Sequence, residues 1–258
     1  MKKYLHELIK RKDLFFYLVT SGIKAQYRNT YLGYFWWILD PLLMGVIYYF
    51  LRVVILGMKG ENIGVFLIIG LITWQWIAAA ISKSARSVSS KAGIITQVYL
   101  PKAIFPLGTT LTQLINFSFG LPVIALFLAF YRIIPGVYLL WLPILMFVQF
   151  LFLAALSLIL AYYATFIRDI ENVLSHLMRF WFYSSPVIWE AGRLPEKYSY
   201  LVDVNPASVF LIGYRNILMY DKSPDLEKLL ILGIASLAII IYMFYFYNKN
   251  EHKLIKAL

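Results

Sequence analysis

One apolar stretch of the chain, 166–190, carries polar side chains at helical spacing. On a helix of 3.6 residues per turn they share one narrow arc, while the opposite side is apolar. Charged groups at membrane depth are costly unless they face protein or water, so this stripe predicts a membrane span that lines a hydrated cavity. The alternative is that only 180–189 lies in the membrane, with the charged residues at its cytoplasmic edge. The stripe consists of Thr165, Asn172, Ser175, His176, Arg179 and Tyr183.

The chain has no motif for catalysis or nucleotide binding. The dipeptide Gly-Lys does not occur, so there is no phosphate-binding loop, and GxSxG and HExxH are also absent. With no cysteine and three histidines, neither a thiol nucleophile nor a compact metal site is predicted. We therefore expect a protein that is not an enzyme and holds no cofactor. If it transports a substrate uphill, we expect a partner to supply the energy.

Composition and apolar windows predict an all-α integral membrane protein. Apolar residues make up 61% of the 258 positions and charged residues only 14%. Windows of about 20 apolar residues predict six membrane spans. A shorter apolar segment, 207–220, suits a re-entrant helix within the outer segment 190–228. The spans are 35–56, with Arg52 near enough to its end to snorkel, then 65–81, 107–130, 137–166, 170–189 and 229–247.

The distribution of positive charge predicts the orientation. Of the 24 Lys and Arg residues, sixteen fall on the side that holds both termini and eight on the other. The positive-inside rule therefore places both termini in the cytoplasm. The net charge of +11 is explained by this orientation in the membrane, so we do not expect a nucleic-acid partner. The arm 1–30 is amphipathic and basic, shows no signal-peptide cleavage site, and predicts a helix in the membrane interface.

Aromatic residues are abundant, with 20 Tyr, 19 Phe and 7 Trp. Most fit the aromatic belts at the two membrane surfaces. A conduit lined by tyrosine and tryptophan would also suit sugars, whose C–H faces stack on rings while hydroxyl groups meet tyrosine oxygens. Tyr34 and Tyr183 are the first candidates for that role.

Four local patterns resemble the membrane subunit of ABC-2 type exporters, and in particular the polysaccharide-export permeases for O-antigen, capsule and teichoic acid. The resemblance covers nearly the whole chain, in order. Asp40 departs from the family pattern, in which an amide is expected before Pro41. His176 and Arg179 are also more polar than that pattern leads us to expect. The patterns are QYRNTYLGYFWWILDPLL (Gln26–Leu43), GLITWQW with IITQVYLPKAIFP (Gly70–Trp76, Ile94–Pro106), IRDIENV with FWFYSSPVIW (Ile167–Trp189) and VNPASVFLIGYR (Val204–Arg215).

The resemblance implies a single transmembrane domain over 1–258 that works as a homodimer in the cytoplasmic (inner) membrane. Two copies of a cytoplasmic ABC ATPase would bind the ATP and Mg²⁺ and drive export of an undecaprenyl-diphosphate-linked polysaccharide through a conduit between the two permeases. The acid-free segment 82–102 would dock on the ATPase. Arg28 would steer the diphosphate, with Lys24 or Arg179 as further candidates for that role. The substrate path would include Arg28, Tyr34, Trp36, His176, Arg179 and Tyr183, and the docking surface Arg86, Lys91, Gln97 and Tyr99.

Three other functions stay open at this point. An ABC-2 exporter of a drug or small lipid would have a pore too narrow for an extended glycan. An ion-coupled secondary transporter would use Asp40 as its proton site and need no ATPase, although a hydrogen bond from Asp40 to a neighbouring helix is the more common arrangement. A membrane glycosyl- or acyltransferase would need an acid–histidine pair, for which His176 and Glu171 are the only candidates.

Overall fold

The protein is described by a computed structural model that covers residues 2–26, 30–57, 60–95, 100–167 and 169–257. Throughout these ranges the chain is helical or in turns and contains no strand, so the predicted all-α class is confirmed. The helices are α1 (Lys2–Lys10), α2 (Lys12–Gln26), α3 (Trp36–Tyr49), α4 (Ile63–Ala85), α5 (Ala92–Ile95), α6 (Ile104–Phe130), α7 (Leu142–Phe166), α8 (Ile170–Ser184), α9 (Tyr200–Val204), α10 (Pro206–Leu218) and α11 (Leu226–Ala257).

Within the described residues, five helical segments are long and apolar enough to cross a membrane, which makes this a multi-pass membrane protein. They agree with five of the six predicted spans. The segments are Ile38–Ile55, Ile63–Ala85, Ile104–Phe130, Val137–Phe166 and Leu226–Leu254.

The predicted span 170–189 is wrong as a single long helix. Helix α8 has 15 residues and ends at Ser184, after which Ser185 adopts an extended backbone with ψ of 149°. Pro186 explains this end, because proline lacks an N–H and disfavours the helical conformation of the residue before it. The polar stripe on α8 therefore ends at Tyr183. Thr165 is also wrongly assigned to it, since that residue lies at the end of α7 and donates to the Ala161 carbonyl at 2.8 Å.

Helix α4 is the centre of the bundle and is in contact with α3, α6, α7, α8 and α10. Its apolar side chains are buried on all sides, as expected for a helix that other helices surround. Gly120 lets α6 approach closely, since a Cβ there would lie 2.7 Å from Ile72. Next to this contact the rings of Trp76 and Phe117 stack at 4.5 Å.

The two N-terminal helices pack against the bundle at the end where α11 finishes. Tyr4 of α1 shares a buried cluster with Tyr247 and Leu254 of α11, and its hydroxyl accepts a hydrogen bond from the Ala103 N–H at 3.3 Å. Helix α2 lies along α6, where Val19 is buried. We call this the N/C end of the bundle. The other end, which holds 185–225, is the far end.

Helix α3 continues through a π-helical segment, Phe50–Ile55, towards the far end. Most of its apolar side chains are exposed, but Arg52 within the π-helical segment is buried. The expected snorkelling of Arg52 into solvent is therefore wrong. The wider π turn aims this side chain at the interior, where protein groups satisfy it.

Candidate functional site

The polar stripe lies on the exposed side of α8. Leu174 and Phe182 anchor the helix in the core, whereas Asn172, Ser175, His176, Arg179 and Tyr183 are exposed. Apolar Val173, Leu177 and Phe180 on the same helix are exposed as well. A single copy of the chain therefore does not enclose this stripe.

A cleft of about 840 Å³ separates α8 from α3 and α4. Arg179 and Tyr183 line it from α8, and Asp40 and Tyr48 from α3, so the two predicted α8 residues do belong to one cavity. Its mixture of a guanidinium, a carboxyl, phenols and rings could hydrogen-bond and stack on a polyhydroxylated ligand. The rings that form its floor are edge-packed, with Trp74 and Phe182 at 5.5 Å.

Two other predicted path residues do not line this cleft. His176 is exposed on α8 but does not line the cleft, and half-buried Trp36 starts α3 outside it. Tyr34 lies in the short 3-10 turn Gly33–Phe35 that precedes α3. Arg28 lies outside the described residues.

At the far end, two buried arginines hold the turn that follows α8. The Arg215 guanidinium donates four hydrogen bonds of 2.5–3.3 Å to the carbonyl oxygens of Phe66, Pro186 and Val187. Arg52 pairs with the Glu190 carboxylate and donates to the Ile188 carbonyl at 3.3 Å. Backbone carbonyls of the non-helical residues that follow α8 are thereby satisfied away from water. We call these contacts the arginine lock.

The ring of Phe66 contacts both cations of the arginine lock, with its centroid 3.4 Å from the Arg215 Cζ and 4.8 Å from the Arg52 Cζ. Such cation–π contacts gain strength where water is excluded. Burial alone would raise the pKa of the Glu190 carboxyl, but its hydrogen bonds and charge contacts with Arg52 and Arg193 outweigh burial and lower it. The negative charge of Glu190 therefore offsets the buried Arg52 charge.

A third group closes the same turn from α9 and α10. Asn205 caps α10 by accepting from the Ala207 N–H at 3.0 Å, and the same oxygen accepts from the Trp181 indole N–H at 2.7 Å. Its amide nitrogen donates to the Ser185 hydroxyl at 2.8 Å. Sequence reasoning missed the roles of Arg52, Arg215 and Asn205. The sequence did contain a signal for the two arginines. Each lies in an apolar segment, and a charge at membrane depth is rarely left without a partner.

At the N/C end, the predicted docking residues have different surroundings. Arg86 pairs with Glu171 at the start of α8, 2.7 Å apart, so it is not a free cation. Lys91 is exposed. Gln97 and Tyr99 lie outside the described residues. Lys102, which ends the same segment, is buried against the Glu251 carboxylate of α11 at 3.2 Å.

Comparison with known proteins shows the family. A family model described as ABC-2 type transporter matches residues 13–219. Two proteins from Klebsiella pneumoniae, both named O-antigen export system permease protein RfbA, are 28% and 30% identical over 247 residues, covering 95% of this chain and of each relative. A protein of that name from Myxococcus xanthus is 27% identical over 242 residues, covering 93% of both. The chain therefore belongs to the ABC-2 type transporter family.

Proposed function

We propose that this chain is the channel-forming permease subunit of an ATP-driven exporter that moves an undecaprenyl-diphosphate-linked polysaccharide across the cytoplasmic membrane. Its family and its near full-length similarity to proteins named for O-antigen export support this function. A separate ABC ATPase subunit would bind ATP and Mg²⁺. The permease itself would have neither a catalytic site nor a cofactor.

The exposed stripe on α8 is the observation that carries the proposal. His176 and Arg179 lie on a helix that runs beside α4 from Glu171 near Arg86 to Trp181 near Trp74. That position is within the depth of a membrane-spanning helix, where lipid would leave these polar groups unsatisfied. A second copy facing α3 and α8 would instead enclose them in water. The path between the copies would be lined by the stripe together with Arg28, Tyr34 and Trp36.

The sixth crossing would be shared between α8 and the turn that the arginine lock holds. Fifteen helical residues span about 22 Å, and the extended residues after Ser184 add the remaining length. Six crossings place both termini on one side, which the positive charge assigns to the cytoplasm. Helix α10, buried against α4 and α7, would then be the re-entrant element at the outer face.

The connection between α4 and α6 would dock on the ATPase through Arg86, Lys91, Gln97 and Tyr99. The contact between Arg86 and Glu171 supports this idea, because it links that connection directly to the start of α8. A movement of the ATPase against the connection would reach the helix that carries the substrate stripe. Arg86 would thus transmit motion in addition to offering charge.

Reconstituted vesicles provide the test. The permease and its cytoplasmic ATPase should co-purify and export a lipid-linked glycan when ATP is supplied. Replacing Arg179 with Gln should reduce that export about tenfold, since one charge-assisted hydrogen bond to the diphosphate would be lost. Arg132→Gln is the matched control, because Arg132 is exposed in the turn after α6, away from the cleft.

Two results would contradict the proposal. Export that proceeds without any ATPase and stops on Asp40→Asn would favour an ion-coupled transporter. Export of a small lipid but of no glycan would favour the narrower ABC-2 function. If Arg179→Gln exports as well as the control, Arg179 is not part of the path.

A further inference from the structure

The basic residues of 82–102 fall into two pairs with different surroundings. Arg86 and Lys102 are neutralised, by Glu171 at 2.7 Å and by Glu251 at 3.2 Å. Lys83 and Lys91 are exposed and form no ion pair with any described residue of the chain. The two lysines left without a carboxylate line one recess.

The recess lies between α2, α4 and α6 at the N/C end. It has two adjoining parts, of about 460 Å³ and about 230 Å³, and Gln26, Lys83 and Gln113 line both. Lys91 lines the larger part. None of the described residues that line either part is acidic. The larger part alone is within the usual size range of small-molecule sites, about 300–1,000 Å³.

The recess is built to present positive charge. The Lys83 ammonium donates to the Gln26 side-chain oxygen at 3.0 Å, which fixes its position and leaves two of its three N–H bonds for a ligand. The Asn116 amide donates to the same Gln26 oxygen at 2.9 Å and to the Gln113 oxygen at 3.0 Å, so the amide network holds Gln26 in place.

The cationic donors for an anion are the two lysines, and most of the hydroxyl groups nearby are already engaged. Thr109, Thr112 and Ser87 line the larger part, but each donates its hydroxyl proton to a backbone carbonyl of its own segment, at 2.7–3.0 Å. A ligand would therefore meet two ammonium groups and no carboxylate. That combination selects a compact anion with several acceptor oxygens, which is the chemistry of a phosphate group.

We propose that this recess binds the phosphate of an anionic phospholipid, separately from the exported substrate. Its position supports a lipid source, because α2, the helix predicted for the membrane interface, forms one wall and the end of membrane-spanning α4 forms another. Phosphates of lipid headgroups lie at that level, where nearby lysines attract anionic lipids. A bound lipid would hold α2 against α4 and α6, and so would stabilise the interface arm.

The test measures thermal stabilisation of the purified, delipidated full-length protein as ligand is added. Phosphatidylglycerol should raise the melting temperature in a saturable way, whereas phosphatidylcholine, which has no net charge, should not. Each of Lys83→Gln and Lys91→Gln should weaken apparent affinity for phosphatidylglycerol about fivefold, and the double variant more. Lys83→Arg should keep most of it, and Lys249→Gln, an exposed lysine of α11 outside the recess, should change nothing.

Two further ligands identify the source of the phosphate. If inorganic phosphate alone gives the same lysine-dependent stabilisation, the site binds phosphate but the lipid assignment is overturned. If undecaprenyl diphosphate competes with phosphatidylglycerol in wild type and loses this competition in the double variant, the recess serves the substrate and the separate role is overturned. Equal stabilisation of wild type and a normally folded double variant by phosphatidylglycerol would overturn the site itself.

Discussion

The arginine lock at the far end and the basic residues of 83–91 at the N/C end hold their cations in opposite ways. At the far end, Arg215 is only 3% exposed and donates four hydrogen bonds to backbone carbonyls. At the N/C end, Arg86 is 64% exposed and has one carboxylate partner, and Lys83 and Lys91 have none among the described residues. The arginine lock therefore satisfies its charges internally, while Arg86, Lys83 and Lys91 leave charge available to a ligand or partner.

This difference indicates which end is expected to move. A buried guanidinium bonded to carbonyls from two segments can be displaced only if every bond is broken, so the turn after α8 is held firmly against α4. An exposed ion pair contributes little and is easily exchanged for another partner. We expect the far end to act as a fixed point and the N/C end to respond to the ATPase.

The largest effect should come from Arg215→Ala. It removes the guanidinium that donates to the carbonyls of Phe66, Pro186 and Val187 in a buried site, and the free energy of unfolding should fall by about 3 kcal/mol or more. Thermal unfolding in detergent measures this loss. Arg215→Lys should recover only part of it, since an ammonium lacks the planar fork. Wild-type stability in Arg215→Ala would refute the fixed far end.

Gly70→Ala tests the close contact at the same place. A Cβ at Gly70 would lie 2.6 Å from the Val187 carbonyl oxygen and closer still to the Arg215 guanidinium. Overpacking of this kind should cost about 2 kcal/mol. Gly192→Ala at the far end is the matched control, because nothing lies within 4 Å of its added Cβ. Equal melting temperatures for the two variants would contradict the tight contact.

Glu190→Gln should have a smaller and pH-dependent effect. The variant removes the carboxylate partner of buried Arg52 and should cost about 1 kcal/mol at neutral pH, because Glu190 itself is partly exposed. The pKa of Glu190 is lowered from its ordinary value of 4.5, so its contribution is present above that pH and is lost as the pH falls through the lower folded-state value. Unfolding curves of the two proteins should therefore converge in acid, and a gap that widens in acid would contradict this account.

The smallest effect on stability belongs to the N/C end. A double-mutant cycle on Arg86→Ala and Glu171→Ala should give a coupling energy of about 0.5 kcal/mol, as for other exposed ion pairs. Export should nevertheless fall in either single variant if the pair transmits motion to α8. Unchanged export in both would leave Arg86 without that role.

The sequence predicted the helical class and five of the long apolar segments because length and hydropathy decide those features. The predicted end of α8 was wrong, because an apolar pattern that continued to Trp189 was given more weight than the tendency of a helix to end before a proline, here Pro186. The sequence identified Arg179 and Tyr183 as path candidates, and the structure brings both into one cleft. The partners of Arg52 and Arg215 could not be predicted from the sequence, because they lie far along the chain. Arg52 and Glu190 are 138 residues apart, and Arg215 and Val187 are 28 residues apart.

Helix α11 has a practical consequence for anyone altering the C-terminal region. Its 32 residues measure about 48 Å, well beyond the roughly 30 Å of hydrocarbon, so its last turns stand outside the bilayer. Those turns carry Glu251, which faces buried Lys102, and Leu254, which is fully buried. Shortening the chain before Glu251 would strand an ammonium ion in the interior, so a fluorescent or affinity fusion belongs after this helix and should not replace its end.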